Sequence, residues 1–153
     1  IDRLLVLGSE TFDLPLGIVS RVEDQSYTIK HIAGPEGAPP PGTVFPLGDT
    51  YCTHTLRANG PLGFHHAGES RIQAHPCYLK FGLEAYLGCP LMVDGTRYGT
   101  LNFSSPDVRL RPFDDSDFSL IQVFAQWIGN EISRNRAEEK RRLVADSLQG
   151  GRI

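Results

Sequence analysis

The sequence predicts an α+β domain built on an antiparallel sheet of about five to six strands with helices to one side. Three observations carry this reading. Ala85 to Val93 and Thr96 to Ser105 are rich in Tyr, Leu, Val, Thr and Phe and flank Asp94-Gly95. A type I′ turn needs positive φ at both central residues, which Asp and Gly tolerate, so this stretch reads as a tight hairpin. Tyr27 to Ala33 alternates as a half-buried strand does. Leu120, Ile121, Phe124, Ile128 and Ile132 recur at helical spacing near the other end, with Trp127 on the flank of the same face.

Taken in order, residues 2 to 12 predict a first helix with Leu4, Leu5 and Leu7 toward the core. Leu14 to Val22 reads as a strand, and Glu23-Asp24-Gln25-Ser26 as a polar turn. In the strand that follows, alternation places Tyr27, Ile29, His31 and Ala33 on one face and Thr28, Lys30 and Ile32 on the other, but it is imperfect and does not select the buried face. Gly34 to Gly42 contains three consecutive prolines, which exclude a central strand and leave a surface loop. Asp49 to Arg57 predicts a short helix capped by Asp49. Gly60 to His66 reads as a turn and a brief strand. Glu69 to Lys80 reads as helical turns on a loop, broken at Pro76. The hairpin comes next, followed by a connection, Pro106 to Pro112, carrying Arg109 and Arg111.

Asp114 is placed to cap the last helix, and acids in its first turn suit the helix dipole. From Arg134 to Arg142 the residues become charged, with Glu138 and Arg142 four apart. No apolar stripe returns until Leu143 and Val144, and Gly150-Gly151 is expected to end the order.

A chain of 153 residues is the size of one domain with its own core. A net charge of −3 argues against nonspecific nucleic-acid binding. No run of 18 apolar residues exists, so no transmembrane contact is expected. The N-terminal Ile1-Asp2-Arg3-Leu4-Leu5 lacks the basic region and cleavage site of a signal peptide and reads as a helix entered part-way, as in a piece of a longer protein. The three cysteines, Cys52, Cys77 and Cys89, form no close pairing pattern, which points to a reducing compartment and a cytoplasmic location.

Histidines and cysteines are the first candidates for chemistry. Cys52 and His54 lie two apart on the predicted helix and point away from one another. His65 and His66, adjacent on a predicted strand, point to opposite faces. His75-Pro76-Cys77 sits on a loop. No C-x-x-C, H-x-x-x-H or H-E-x-x-H spacing occurs, so no metal site is expected. Asp114, Asp115 and Asp117 are explained by capping, and Arg109 and Arg111 by a solvated loop.

The run Phe81-Gly82-Leu83-Glu84-Ala85-Tyr86-Leu87-Gly88-Cys89-Pro90-Leu91, the Asp94-Gly95 turn and Tyr98-Gly99-Thr100-Leu101-Asn102-Phe103 resemble the centre of a GAF domain. Ala125-Gln126-Trp127-Ile128-Gly129-Asn130-Glu131-Ile132 resembles that family's C-terminal helix. The family comprises small-molecule-sensing and dimerising modules of bacterial sensor kinases, cyclases and phosphodiesterases. The resemblance implies a domain over 1–134, and a charged helical extension over 135–153 leading to an output kinase or cyclase domain outside this sequence. It implies N- and C-terminal helices on one face of the sheet and a loop and short-helix pocket region on the other. It also implies a small-molecule pocket drawing on Tyr51, Cys52, His54, His66, Cys77, Tyr78, Phe81 and Asn102, and a homodimer through the terminal helices.

No particular cofactor follows. Phytochrome-like members attach a linear tetrapyrrole to a cysteine usually followed by His, whereas Cys77 is followed by Tyr78. Haem would need one of His54, His65, His66 or His75. The Asn-Lys-x-x-x-Phe-x-x-x-Asp-Glu signature of cyclic-nucleotide-binding members is absent. The expected function is therefore that of a non-catalytic sensory domain, in a two-component sensor histidine kinase. The alternative is a thiol-dependent enzyme of the free methionine-R-sulfoxide reductase type, using Cys77 with Cys52 or Cys89.

Overall fold

The structure, a computed structural model, describes residues 1–150. Its elements in order are α1 (Asp2–Phe12), β1 (Leu16–Glu23), β2 (Ser26–Ala33), β3 (Val44–Pro46), α2 (Cys52–Ala58), β4 (Leu62–Phe64), α3 (Pro76–Phe81), β5 (Ala85–Val93), β6 (Thr96–Ser105) and α4 (Asp115–Gly150). The strands form one antiparallel six-stranded sheet in the order β3-β2-β1-β6-β5-β4. The α+β architecture expected from the sequence is the one observed, with β3 as an unanticipated short edge strand.

The Asp94-Gly95 hairpin forms, with φ of 51° and 75° at the two turn residues. Cβ atoms alternate across a strand, so β5 and β6 serve two cores at once. Leu87, Leu91, Leu101 and Phe103 face a core closed by α1 and α4. Tyr86 and Asn102 face the opposite side, where α2 and α3 lie over a second cluster with Ile18, Tyr27 and Ile29.

The alternation predicted for β2 does not run through. Val19 pairs with His31 but Ser20 pairs with Ile29, so Lys30 is a bulge residue. An extra residue turns the rest of the strand over. Tyr27, Ile29 and Ile32 therefore belong to the α2–α3 side. Ala33 packs in the α1–α4 core, and His31 Nδ1 lies 3.6 Å from Asp2 of α1.

The helices also differ in detail from their expectations. In α1 the buried positions are Leu5, Gly8 and Phe12, and Leu4 is half-buried. Leu7 is 48% exposed, because it lies on the turn of the helix away from the sheet. Asp49 does not cap α2. It ends a 3₁₀ turn over Leu47–Asp49 and pairs with Lys80, 2.6 Å away. Pro76 begins α3 rather than breaking it, because the first helical position needs no backbone donor.

In α4, Asp114 and Asp117 exchange backbone-to-carboxylate hydrogen bonds of 3.0 Å, closing the N-terminus as a capping box. Ile121, Phe124, Ile128 and Ile132 are buried, whereas Leu120 and Trp127 are exposed. Arg109 is not on a solvated loop. Its guanidinium donates to the Phe12 carbonyl (3.3 Å) and the Arg111 carbonyl (2.7 Å), lies 4.3 Å over the Phe113 ring, and faces Asp117.

Helix α4 runs unbroken to Gly150, carrying Glu138–Arg141 and Glu139–Arg142 pairs in place of the expected Glu138–Arg142 contact. Gly151 and the remainder of the anticipated extension lie outside the described residues. Among the described residues no helix is long and apolar enough to cross a membrane.

Candidate functional site: an enclosed cavity between the sheet and the short helices

Between the sheet and the segment running from Thr50 to Leu83 lies a cavity of about 230 Å³. Its floor is β6. Thr100, Asn102 and Ser104 point to this side by strand alternation, and Asn102 and Ser104 reach the cavity. Neighbouring strands add Leu16 and Ile18 from β1, Tyr27 and Ile29 from β2, and Tyr86 from β5. Helix α2 supplies Cys52, and Tyr51 just before it. Helix α3 supplies Cys77 and Phe81.

The local sequence explains why α3 can serve as a wall. His75 Nδ1 accepts a hydrogen bond from the Cys77 backbone N–H at 3.0 Å, and Gly82 closes the helix in the left-handed region at φ 62°. Tyr51 is buried and its hydroxyl donates to the Leu83 carbonyl at 2.8 Å, tying α2 to the strand entering β5. Phe45 from β3 and Phe81 both line the cavity and meet edge-to-face at 5.4 Å.

Beneath the cavity is a buried polar network centred on the Cys52 sulfur. Thr100 Oγ1 donates to it at 3.1 Å and Asn102 Nδ2 at 3.3 Å, while the Tyr86 hydroxyl lies 3.3 Å away. Tyr86 also pairs with Thr55 Oγ1 at 2.8 Å, and Thr100 Oγ1 with Ser20 Oγ at 2.7 Å. Asn102 Nδ2 further donates to the Tyr27 hydroxyl at 3.0 Å. Its Oδ1 has no partner among the described residues, and neither has Ser104 Oγ, although the two residues are only 4% and 1% exposed.

Burial sets the protonation states. It raises the thiol pKa of Cys52, and pushes that of Cys77 up to about 12. The Tyr27 and Tyr86 hydroxyls are held well above their ordinary range by the same cause, and Tyr51 is raised too. The cavity wall is therefore neutral at physiological pH. Cys89 packs in the α1–α4 core on the far side of the sheet, with its thiol raised by burial to about 11.

Of the residues singled out from the sequence, Tyr51, Cys52, Cys77, Phe81 and Asn102 are brought together around the cavity. His54, His66 and Tyr78 are not. His54 is half-buried on the outer side of α2, its ring 4.9 Å from that of His75. His65 and His66 follow the end of β4, and His66 faces Glu69 and Glu84. Tyr78 donates to Glu84 Oε1 at 2.6 Å while Gly68 N–H donates to Oε2 at 3.0 Å, so this cluster latches the 67–84 loop. The Tyr78 hydrogen bond, then the Gly68 amide, lowers the Glu84 pKa.

Tyr27, Tyr86 and Ser104 were not anticipated. The signal for them was available in the strand alternation, since Tyr86 and Ser104 lie on the same face as Asn102 once the hairpin register is set.

The site does not fit a tetrapyrrole. None of the five histidines lines it, and Cys77 is buried as a neutral thiol. Its volume is below the roughly 300–1,000 Å³ of drug-sized ligand sites. Among the described residues no cluster of His, Cys, Asp and Glu is arranged to hold a metal ion.

Comparison with known proteins bears on this geometry. The family model described as GAF domain matches residues 1–132. A search of curated proteins returns no match. Similar solved structures include the GAF domain of an Acinetobacter phosphoenolpyruvate-protein phosphotransferase, at 12% identity and a TM-score of 0.70, covering 91% of this chain and 83% of that one. A domain of a protein described as a two-component sensor histidine kinase from Sinorhizobium meliloti 1021 is 16% identical with a TM-score of 0.64, covering 92% and 93%. Free methionine-R-sulfoxide reductase from Neisseria meningitidis, solved with its substrate, is 19% identical with a TM-score of 0.64, covering 88% and 78%.

Proposed function

The chain belongs to the GAF domain family, and on that premise we propose that it is the cytoplasmic sensory domain of a bacterial two-component sensor histidine kinase. It binds a small molecule in the cavity and does no chemistry on it. The observation that carries this reading is the cavity with two polar atoms at its floor, Asn102 Oδ1 and Ser104 Oγ, that have no hydrogen-bond partner among the described residues. Buried polar groups are normally satisfied, and a ligand is the simplest partner for these two. The similar domain from a protein described as a sensor histidine kinase supports the choice of parent.

In this reading the domain proper spans residues 1–134. The part of the chain from 135 to 153 carries the signal to a kinase or cyclase output, and two copies associate through their terminal helices. Tyr51, Cys52, Cys77, Phe81 and Asn102 contact the ligand, together with Tyr27 and Tyr86. His54, His66 and Tyr78 hold the surrounding loop. A ligand shifts the helix only by binding its two positions with different affinity.

The thiol-redox alternative keeps one supporting observation, that Cys52 and Cys77 line the same cavity. Thiolate attack is opposed by burial, which holds both thiols protonated. Native mass spectrometry of the purified protein, with a denatured control, tests the preferred reading. A non-covalent adduct lost on denaturation is expected. NADPH-coupled sulfoxide turnover that disappears in Cys77→Ser would instead establish the enzyme.

A further inference from the structure

We infer that the cavity selects an uncharged, flat molecule of one or two aromatic rings that carries a hydrogen-bond donor for Asn102 and Ser104. The inference rests on the cavity being a ligand site and specifies what enters it.

Charge is the first constraint. All fifteen side chains that line the cavity are neutral, with no Arg, Lys, His, Asp or Glu among them. A buried ion without a counter-charge is strongly disfavoured, so carboxylates, phosphates and ammonium groups are rejected. Burial keeps the phenols and thiols on the wall from ionising to meet a cation.

Size is the second constraint. A dry, apolar cavity of about 150 Å³ holds one benzene ring. The 230 Å³ here accommodates one ring with substituents, or two fused rings. Shape is the third. Tyr27, Tyr51, Tyr86, Phe45 and Phe81 all line the wall, so the ligand meets ring faces and edges from several sides. Aromatic groups prefer offset and edge-to-face neighbours of this kind.

The polar edge is the fourth. Asn102 Nδ2 is committed to Tyr27 and Cys52, which leaves Oδ1 as the free acceptor of a side chain that lines the cavity. Ser104, two residues along the same face of β6, adds a hydroxyl without a partner among the described residues. An N–H or O–H on the rim of the ligand satisfies this pair. A ligand lacking it leaves them stranded, the situation in which a buried site discriminates most strongly.

The test is isothermal titration of the full chain with three probes of one skeleton: indole, 1-methylindole and indole-3-carboxylate. Indole is expected to bind at least tenfold more tightly than 1-methylindole, which lacks the N–H, and at least a hundredfold more tightly than the anion. Asn102→Leu is expected to erase the preference for indole over 1-methylindole. Because Asn102 also holds Tyr27 and Cys52, Ser104→Ala, whose hydroxyl has no such duty, is measured alongside and should narrow the same gap with an unchanged melting temperature. Equal binding of the anion overturns the inference, as does failure of all three probes. A charged adduct in native mass spectrometry would also overturn it while leaving the sensor reading standing. No adduct together with no probe binding would remove both.

Discussion

The Cys52 sulfur decides between two kinds of chemistry at the residue scale. It accepts hydrogen bonds from Thr100 and Asn102 in a region sealed from solvent, which is the setting of a structural thiol. Burial pushes the Cys77 thiol up to about 12, so the thiol form prevails at pH 8. Native protein at pH 8 is therefore expected to show no fast reaction with Ellman's reagent, and three thiols per chain after denaturation; a rapid native thiol would sink this view.

His75 gives a prediction of opposite sign to the usual carboxylate. Burial, with the nearby His54 adding to it and Asp49 opposing, lowers its pKa in the folded state. Stabilisation from this group is complete above the unfolded value of about 6.5 and is lost as pH falls from there toward the folded pKa. Protonation also removes the acceptor that caps α3. Melting temperature should fall between pH 7 and pH 5, and His75→Ala should flatten that dependence while costing about 1 kcal/mol at pH 7.

The family resemblance placed His54 with Cys52 at the pocket, although their directions on the helix separate them. Two steps along a helix turn a side chain by about 200°, so Cys52 and Thr55 face inward and His54 faces out. Direction of this kind was readable. The bonds of Cys52 to β6, some fifty residues away, were not.

At the scale of elements, the hairpin and the last helix were legible because both are local, strongly patterned units. The bulge at Lys30 was not, since nothing in Tyr27 to Ala33 marks where the register slips; it is imposed by pairing with β1. Pro76 was read as breaking the helical content of Glu69 to Lys80, yet a proline is well placed at the first position of a helix only six residues long.

Gly129 exposes a conflict between propensity and packing. A Cβ there would sit 2.3 Å from the Met92 carbonyl oxygen, a backbone atom of β5 with little room to move. Alanine in a helix is favoured over glycine by about 1 kcal/mol, but forced separation of α4 from the sheet costs about 1–3 kcal/mol and more. Gly129→Ala is therefore expected to destabilise in urea melts, despite its better helix propensity. Stabilisation would show that α4 does not seat on β5 at this point.

For the whole molecule, the sheet is a partition. Its two faces carry separate cores, and β5 and β6 contribute to both. Among the described residues the buried ones are confined to 1–132, since no position after Ile132 in α4 is buried. A chain ending at residue 134 should keep the melting temperature of the full chain to within a few degrees. The exposed residues Leu120, Val123 and Trp127 form an apolar strip on the outer side of α4, with Trp127 48% exposed. Trp127→Glu should weaken self-association in sedimentation equilibrium while leaving the circular dichroism spectrum unchanged; an unaltered dimer would remove this strip from the interface. Overall architecture was available from the sequence because it follows from strand patterning and resemblance. The cavity was not, because its walls converge from seven elements that no local pattern relates.

The unbroken course of α4 has a mechanical consequence. From Ile132, the last point of burial, to Gly150 the helix projects about 27 Å at its ordinary rise per residue. Gly129 against Met92 acts as a fulcrum close to the sheet. By the same geometry, a tilt of about 5° at the fulcrum swings the tip by about 3 Å. Van der Waals contacts lose a quarter to a half of their strength over a gap of roughly 0.5–1 Å. The arm thus converts a displacement too small to unseat the core into one large enough to make or break whatever Leu143, Val144 and Leu148 touch at its far end.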